Sequence, residues 1–193
     1  PIQADTSFNV FNHLAAKFLH ENGLSMACTS YELSFEQLRE IVESTDMPLE
    51  VVVHGSYESM ICDHDIPGMS LPSFNELDNP EVLDRRYALR DEADEIHSIR
   101  IDQYGRNHIY FAKDLCLYPY LDKFNGFASY RIEAQDYEPA LVFAVTALYR
   151  DRLDRLSRDD AEQDRKMLAA VQRKSPRAWG IGTYRFRQSK NSI

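Results

Sequence analysis

An unbroken apolar run, Val51–Val53, does most to limit the folds open to this chain. Such a run is typical of a strand covered on both faces, as in a parallel sheet with helices on each side. The run ends at His54 and Gly55, where glycine permits a turn that a side chain would obstruct. The polar stretch that follows carries Cys62. Because reactive groups of parallel α/β proteins gather where strands end, residues 49–65 are the first candidate site.

Two weaker strand patterns and two helical stripes precede this run. The strand patterns lie at residues 2–6 and 24–30, and the stripes of apolar residues at 11–19 and 35–42 have helical spacing. Ser34, three residues before Gln37, predicts a capping box at the start of the second helix. Strand and helix therefore alternate with short connections, which predicts a parallel sheet with right-handed crossovers. Three strands cannot close a barrel, so we expect open edges on this sheet.

The pattern changes after residue 65. Pro, Gly and Asn interrupt residues 66–86, which are predicted to form a long loop. From Arg86 the spacing of apolar residues is two, which predicts an antiparallel meander. The elements predicted after that are strands at 87–89, 96–101 and 108–111, a helix at 113–124, a strand at 128–133, a helix at 136–156 and a further charged helix. Asp136 is predicted to cap the helix at 136–156, with Pro139 in its first turn, and Ser157 with Asp160 is predicted to cap the charged helix. We divide the chain into segments 1–65, 66–86, 87–135, 136–173 and 174–193.

Charge and cysteine content restrict the class of protein. The net charge of −9 disfavours nucleic-acid binding by the chain as a whole. The C-terminal segment 174–193 is basic, however, and its interleaved aromatic residues are typical of contact with single-stranded RNA. Three unevenly spaced cysteines do not make a disulfide framework, and the longest apolar run, residues 140–148, is too short to cross a membrane. We therefore expect a cytoplasmic protein with no membrane contact.

Three residues are predicted to be catalytic. Glu32 and His54 each follow a predicted parallel strand, where a carboxylate and an imidazole suit general acid–base work. Cys62 is a candidate nucleophile, with His54 or His64 as its base. Cys62 and the three residues after it could also bind a divalent cation, but ligands adjacent in sequence rarely converge on one ion. No metal site is therefore predicted.

A second group of residues is predicted to bind substrate, because each lies at a strand end or turn. Asparagine before a helix is often a cap, and turns favour Asn and Asp for backbone reasons alone, so a structural role stays open for several members. The group comprises Asn9, Asn12, Gly55, Asp102, Asn107, Arg131 and Glu133.

Five phrases of the sequence resemble the U32 peptidases, also called collagenase-like proteases. They occur in the family's order and span residue 1 to about residue 155. The phrases are ADTSFNVFN, SYELSFEQL, LEVVVHGSYESMI, NHIYFAKDLCLYPYLDKF and YRIEAQDYEPALVFAVTALYRDRLD.

The resemblance implies the C-terminal part of a TIM-like (β/α) barrel with an appended β-meander and C-terminal helices. The missing N-terminal barrel half, or a partner chain, would complete it. Many relatives hold an iron–sulfur cluster on four cysteines, but Asp65 stands here where the family usually has cysteine, and residues 66–86 contain none. The family's Gly-Arg pair is replaced by Ala134 and Gln135. No cofactor is therefore predicted.

The resemblance supports three hypotheses. The first is a U32 peptidase that uses Glu32, His54 and Cys62. The second is a factor in tRNA or rRNA hydroxylation, as some relatives look to be, with segment 174–193 contacting RNA. The third is a non-catalytic subunit that completes the barrel of another chain.

Overall fold

The computed structural model describes residues 1–64, 66, 87–155 and 161–184. The chain divides into two compact units, one of Pro1–Gly55 with Leu115–Ile193 and one of Ser56–Asp114. A sheet of parallel and antiparallel strands with helices belongs to the first unit, and an antiparallel sheet belongs to the second. No helix in these residues is long and apolar enough to cross a membrane.

The alternating order predicted for the first 55 residues is confirmed. Strand β1 pairs in parallel with β2, and β2 with β3. The elements are β1 (Ile2–Ala4), a 3-10 helix (Thr6–Phe8), α1 (His13–Glu21), β2 (Leu24–Cys28), α2 (Phe35–Glu43) and β3 (Leu49–Gly55).

Local hydrogen bonds explain where both helices begin. The Asn12 side chain accepts from the amide of Ala15 at 2.9 Å and caps α1. Ser34 and Gln37 form the predicted capping box of α2, each side chain accepting from the other's backbone amide.

Strand β3 pairs with three other strands of this sheet. Its first residues pair with β2, and residues 50–55 pair in parallel with β9 (Ser129–Glu133), with an irregularity between Val52 and His54. Its last two residues, His54 and Gly55, pair with an antiparallel strand, β8 (Asp114–Cys116). The strand order is β1-β2-β3-β8-β10, with β9 beside β3, so β1 lies at one end and the described residues form no closed barrel.

The helix predicted over residues 113–124 is wrong. The chain instead forms β8 and then a second 3-10 helix, Tyr118–Phe124. Pro119 would fall inside the predicted helix, where it lacks an N–H and clashes with the preceding turn. Leu115 and Cys116 find backbone partners on β3 instead.

Two helices and a short strand complete the first unit. They are α3 (Pro139–Asp154), α4 (Ala161–Gln172) and β10 (Trp179–Gly180). Pro139 occupies the first turn of α3 as predicted, although Glu138 rather than Asp136 is the cap residue. The cap predicted for the charged helix, Ser157 with Asp160, lies outside the described residues.

Asp164 of α4 is buried, and two arginines at the C-terminal end of α3 form ion pairs with its carboxylate. It lies 3.2 Å from Nε of Arg152 and 3.0 Å from Nη2 of Arg155. Tyr118 donates its hydroxyl to the same carboxylate at 3.2 Å. A buried carboxylate with this many donors holds the charged helix against α3.

The second unit confirms the predicted meander and adds a strand. Its sheet has the order β4-β7-β6-β5, with every pair antiparallel. The strands are β4 (Glu58–Cys62), β5 (Tyr87–Arg90), β6 (Ile96–Ile101) and β7 (Asn107–Tyr110). The interpretation of the residues after Gly55 as a polar loop is wrong for Glu58–Cys62, which form β4. No local pattern indicates this strand, because Cys62 pairs with Asn107 of β7, 45 residues later. Apart from Ile66, the loop predicted at 66–86 lies outside the described residues.

Replacing Gly55 tests the contact between β3 and β9. An added Cβ would lie 1.9 Å from the backbone oxygen of Glu133, and φ is +106°. We expect G55A to lower the free energy of unfolding by about 3 kcal/mol or more in urea denaturation. Gly23 is the matched control, since φ is +89° but a Cβ would meet nothing within 4 Å. G23A should cost about 1 kcal/mol, and equal losses in the two variants would contradict this account.

Candidate active site

Four charged side chains converge at the β1, β3 and β9 strands. Arg131 of β9 lies 2.6 Å from Glu133 through Nε, and its Nη1 forms an ion pair with Asp5. The same Nη1 lies 3.7 Å from Oε1 of Glu50. We call Asp5, Glu50, Arg131 and Glu133 the Arg131 cluster.

Strand pairing brings these side chains together. Arg131 and Glu133 are two residues apart on β9, so both side chains lie on the same face of the sheet. Glu50 pairs with Ser129 across β3 and β9, and with Cys28 across β3 and β2. Asp5 follows directly after β1.

The cluster carries more negative than positive charge, because three carboxylates surround one guanidinium. The side chains of Glu133 and Glu50 are only 14% and 18% exposed. Partial burial raises the pKa of Asp5, but the Thr6 amide and Arg131 outweigh it and hold that pKa below its ordinary value. Burial lowers the pKa of Arg131, yet Asp5 and Glu133 raise it further, so the guanidinium stays charged.

Cys28 lies close to this cluster but is not an activated thiol. Burial, followed by the charge of Glu50, raises its pKa to about 12. A neutral thiol is a poor nucleophile. This face of the sheet therefore offers acid–base groups rather than a thiolate.

Glu50 is the residue that the sequence analysis missed, together with Asp5. Glu50 is a charged residue directly before the apolar run of β3, and that position was a usable signal. Its Oε2 accepts a hydrogen bond from Ser129 at 2.8 Å, so one carboxylate oxygen is held in place. Arg131 and Glu133, predicted to bind substrate, do lie in this cluster.

Gly55, also predicted to bind substrate, has a structural reason to be glycine. A side chain there would collide with the backbone of Glu133. Gly55 therefore permits the close pairing that places Glu133.

His54 is fully buried and lies among aromatic rings. Tyr149 donates its hydroxyl to the Val53 carbonyl at 2.9 Å, so the 3.2 Å contact between Tyr149 and Nδ1 of His54 requires Nδ1 to donate. Nε2 then accepts from Tyr137 at 3.1 Å, and the Trp179 ring meets the imidazole edge to face. Burial lowers the pKa of His54 to about 3. The imidazole is neutral, and these contacts tie β3 to α3 and β10.

Glu32, Asn9 and Asn12 lie on the exposed surface of the first unit. Asn12 caps α1, the structural alternative noted for it. Asn9 has a left-handed backbone, with φ of 50°, at the end of the first 3-10 helix. A substrate role for either asparagine stays a prediction.

Cys62, Asn107 and Asp102 belong to the second unit, whereas Glu32 and His54 belong to the first. Cys62 is half-buried at the end of β4 and pairs with Asn107 of β7. The Asn107 amide donates to the backbone carbonyls of Cys62 and His64 and so closes the end of this strand pair. These contacts give Asn107 a structural role.

Asp102 takes part in a carboxylate–imidazole–carboxylate arrangement. Nδ1 of His108 lies 2.6 Å from Glu58, and Nε2 lies 3.2 Å from Asp102. Partial burial lowers the pKa of His108, but the two carboxylates outweigh this and raise it. Both ring nitrogens face carboxylate oxygens, so this arrangement favours the imidazolium form, which can donate to both.

The cysteines do not fit the iron–sulfur cluster that the resemblance implies. Such a cluster needs four thiolates at one place, and the chain has three cysteines. Cys28 pairs with Glu50 and Cys116 with His54, on different neighbours of β3. These positions are about 13 Å apart along β3.

The aromatic residues predicted to stack on RNA pack within the first unit where the structure describes them. Trp179 contacts His54, and Tyr184 is 1% exposed and meets Phe124 edge to face. Arg177 pairs with Asp136 at 3.1 Å. Arg185, Phe186 and Arg187 lie outside the described residues, so RNA contact through them stays a prediction.

A comparison with protein-family models gives a match. The family model described as Peptidase family U32 matches residues 1–192. Neither the curated proteins nor the solved structures contain a match.

His54 and His108 have opposite surroundings, so we predict that their pKa values depart from the ordinary histidine pKa in opposite directions. In ring ¹⁵N NMR we expect His54 to remain neutral, with its proton on Nδ1, from about pH 8 down to about pH 5. His108 should titrate above the ordinary histidine range, because two carboxylates stabilise its charged form. Glu58→Gln should lower the pKa of His108 and leave His54 unchanged. Titration of His54 near pH 6.5 would contradict its buried environment.

Proposed function

Because the chain belongs to peptidase family U32, we propose that it takes part in peptide hydrolysis with the Arg131 cluster as the acid–base centre. The observation that carries the proposal is the convergence of three carboxylates on one guanidinium. Peptide hydrolysis needs a base for the attacking water, a positive group for the developing oxyanion and an acid for the leaving amine. This cluster offers all three kinds of group.

Glu50 is the general base of this proposal. Its Oε1 lies 3.7 Å from Arg131, beyond hydrogen-bond distance, so its lone pairs remain able to accept a proton. Ser129 holds the other oxygen. Glu50 takes a proton as water attacks the peptide carbonyl carbon, and returns it to the amide nitrogen as the C–N bond breaks.

Arg131 is the electrostatic partner. Asp5 and Glu133 orient the guanidinium through Nη1 and Nε. A charged, oriented guanidinium stabilises the oxyanion of the tetrahedral intermediate. The partial burial of the cluster strengthens this interaction relative to water.

The cysteine mechanism suggested by the sequence is the competing proposal. Cys62 is half-buried and in the unit that does not contain His54. The acid–base proposal needs no thiolate, so the two mechanisms make opposite predictions for Cys62 and Glu50.

We also propose that further βα units, from the missing N-terminal half or from a partner chain, continue the sheet at β1 and complete a TIM-like barrel. The exposed apolar residues of this region support the proposal, since large exposed patches mark interaction surfaces. They all lie in the first 18 residues, and Ile2 belongs to β1, the strand at the end of the sheet: Ile2, Phe8, Phe11, Leu14 and Phe18. A cytoplasmic location, where the free thiols stay reduced, belongs to the same proposal.

Peptidase activity distinguishes the two mechanisms. Unstructured peptides, including denatured collagen, are incubated with the purified chain, and products are measured by mass spectrometry. We expect E50Q to lower kcat by about 100-fold or more, as loss of a general base does, while C62A and the exposed-surface control E40Q keep near wild-type rates. Thermal melting verifies that each variant is folded.

Two results would contradict this mechanism. Loss of activity in C62A with retention in E50Q would favour the cysteine nucleophile. No hydrolysis by wild-type protein, with or without a barrel-completing partner, would reject peptide hydrolysis itself.

The exposed apolar edge predicts association. Light scattering during size-exclusion chromatography should show wild-type protein self-associating or bound to a partner, because Leu14 and Phe18 are 65% and 64% exposed. The double variant L14S/F18S should be more monomeric, with unchanged circular dichroism. Phe143 on α3 is 77% exposed and is the matched control, so F143S should behave as wild type. A wild-type monomer that binds no hydrophobic dye would reject the proposed edge contact.

A further inference from the structure

The turn between β5 and β6 in the second unit gathers three side chains able to bind a metal. Asp91, Glu95 and His97 each place one ligand atom within 4.8 Å of the other two. His97 and Glu95 are half-buried and Asp91 is exposed, so the group is accessible to an ion from solvent.

The turn itself orients the Asp91 carboxylate. Its Oδ1 accepts from the backbone amides of Ala93 and Glu95, both at 2.9 Å. Its Oδ2 lies 3.1 Å from Nε2 of His97. One oxygen therefore stabilises the turn, while the other lies beside the imidazole.

The other nitrogen of His97 decides what its Nε2 can do. Nδ1 lies 3.2 Å from the backbone carbonyl of Tyr110. A carbonyl only accepts, so Nδ1 carries the proton, and a neutral ring then has a lone pair on Nε2 directed at a carboxylate oxygen. Nε2 and the Asp91 oxygen, 3.1 Å apart, are then held together either by a second proton on the ring or by a cation bound to both. Histidines that bind metals typically donate their second N–H to a backbone carbonyl in this way.

We propose that Asp91, Glu95 and His97 bind one divalent cation of the zinc class. One imidazole nitrogen and two carboxylate oxygens suit Zn²⁺, with water in a fourth position. Ligand atoms of a tetrahedral zinc site are roughly 3.4 Å apart, so the three groups move slightly inward on binding. Glu95 exchanges its ion pair with Lys113 for the metal. The site is separate from the Arg131 cluster and independent of the proposed hydrolysis.

In the alternative, Nε2 of His97 carries a second proton, and His97 forms a simple ion pair with Asp91. Calorimetric titration of the 193-residue chain with zinc chloride separates the two. A Cys62→Ser background removes the one half-buried thiol, since the other two cysteines are buried. We expect one zinc ion per chain. Cobalt(II) in the same background should give d–d absorption without a thiolate charge-transfer band.

Matched variants identify the ligands. H97A and D91N should each weaken zinc binding by about 100-fold or more, as loss of a direct ligand does. Asn retains an oxygen for the two turn amides, so D91N keeps the turn. The controls are E92Q, which changes an exposed carboxylate of the same turn, and H108A, which removes the other carboxylate-bound imidazole of this unit. Both should bind zinc within about threefold of the background protein.

Thermal melting gives a second readout, because a ligand that binds only the folded state raises Tm. Zinc should raise Tm of the background protein and of E92Q, but not of H97A or D91N. Equal zinc affinity in the background and H97A proteins, or a loss confined to H108A, would overturn the proposed site.

Discussion

The pairing of β3 with β9 is the interaction on which the rest of the first unit depends. Gly55 lets the two backbones approach so closely that a methyl group would collide with Glu133. That pairing sets Ser129 opposite Glu50, Arg131 opposite Val52 and Glu133 opposite Gly55. The Arg131 cluster is therefore a consequence of backbone packing, and its charges are brought together by strands far apart in sequence.

Residues near the two ends of β3 lie in opposite environments. Glu50 lies among charged groups and stays half-buried, whereas His54 is buried among Tyr137, Tyr149 and Trp179. Desolvation keeps the imidazole neutral, and two tyrosine hydroxyls satisfy both ring nitrogens. One strand thus supplies both a candidate acid–base group and a packing element. The charged end of the strand is the part that carries the proposed acid–base chemistry.

Two histidines of the second unit, His97 and His108, differ in the groups that surround their ring nitrogens. His108 lies between two carboxylates, which favour the charged form of its ring. His97 has one carboxylate neighbour and one uncharged backbone carbonyl, so a second proton on its ring gains less stabilisation. This difference is why His97, and not His108, is the imidazole of the proposed metal site.

The sequence by itself determined the alternation of strand and helix up to Gly55, the capping box at Ser34 and the meander strands. These depend on periodicity and on neighbours within a few residues. It also identified Arg131 and Glu133 as a charged pair on one strand. Tertiary structure alone decided that Asp114–Cys116 is a strand, that Glu58–Cys62 joins the meander, and that Glu50 and Asp5 complete the Arg131 cluster. The partners of these residues lie 45 to 126 positions away, so no local pattern contains them.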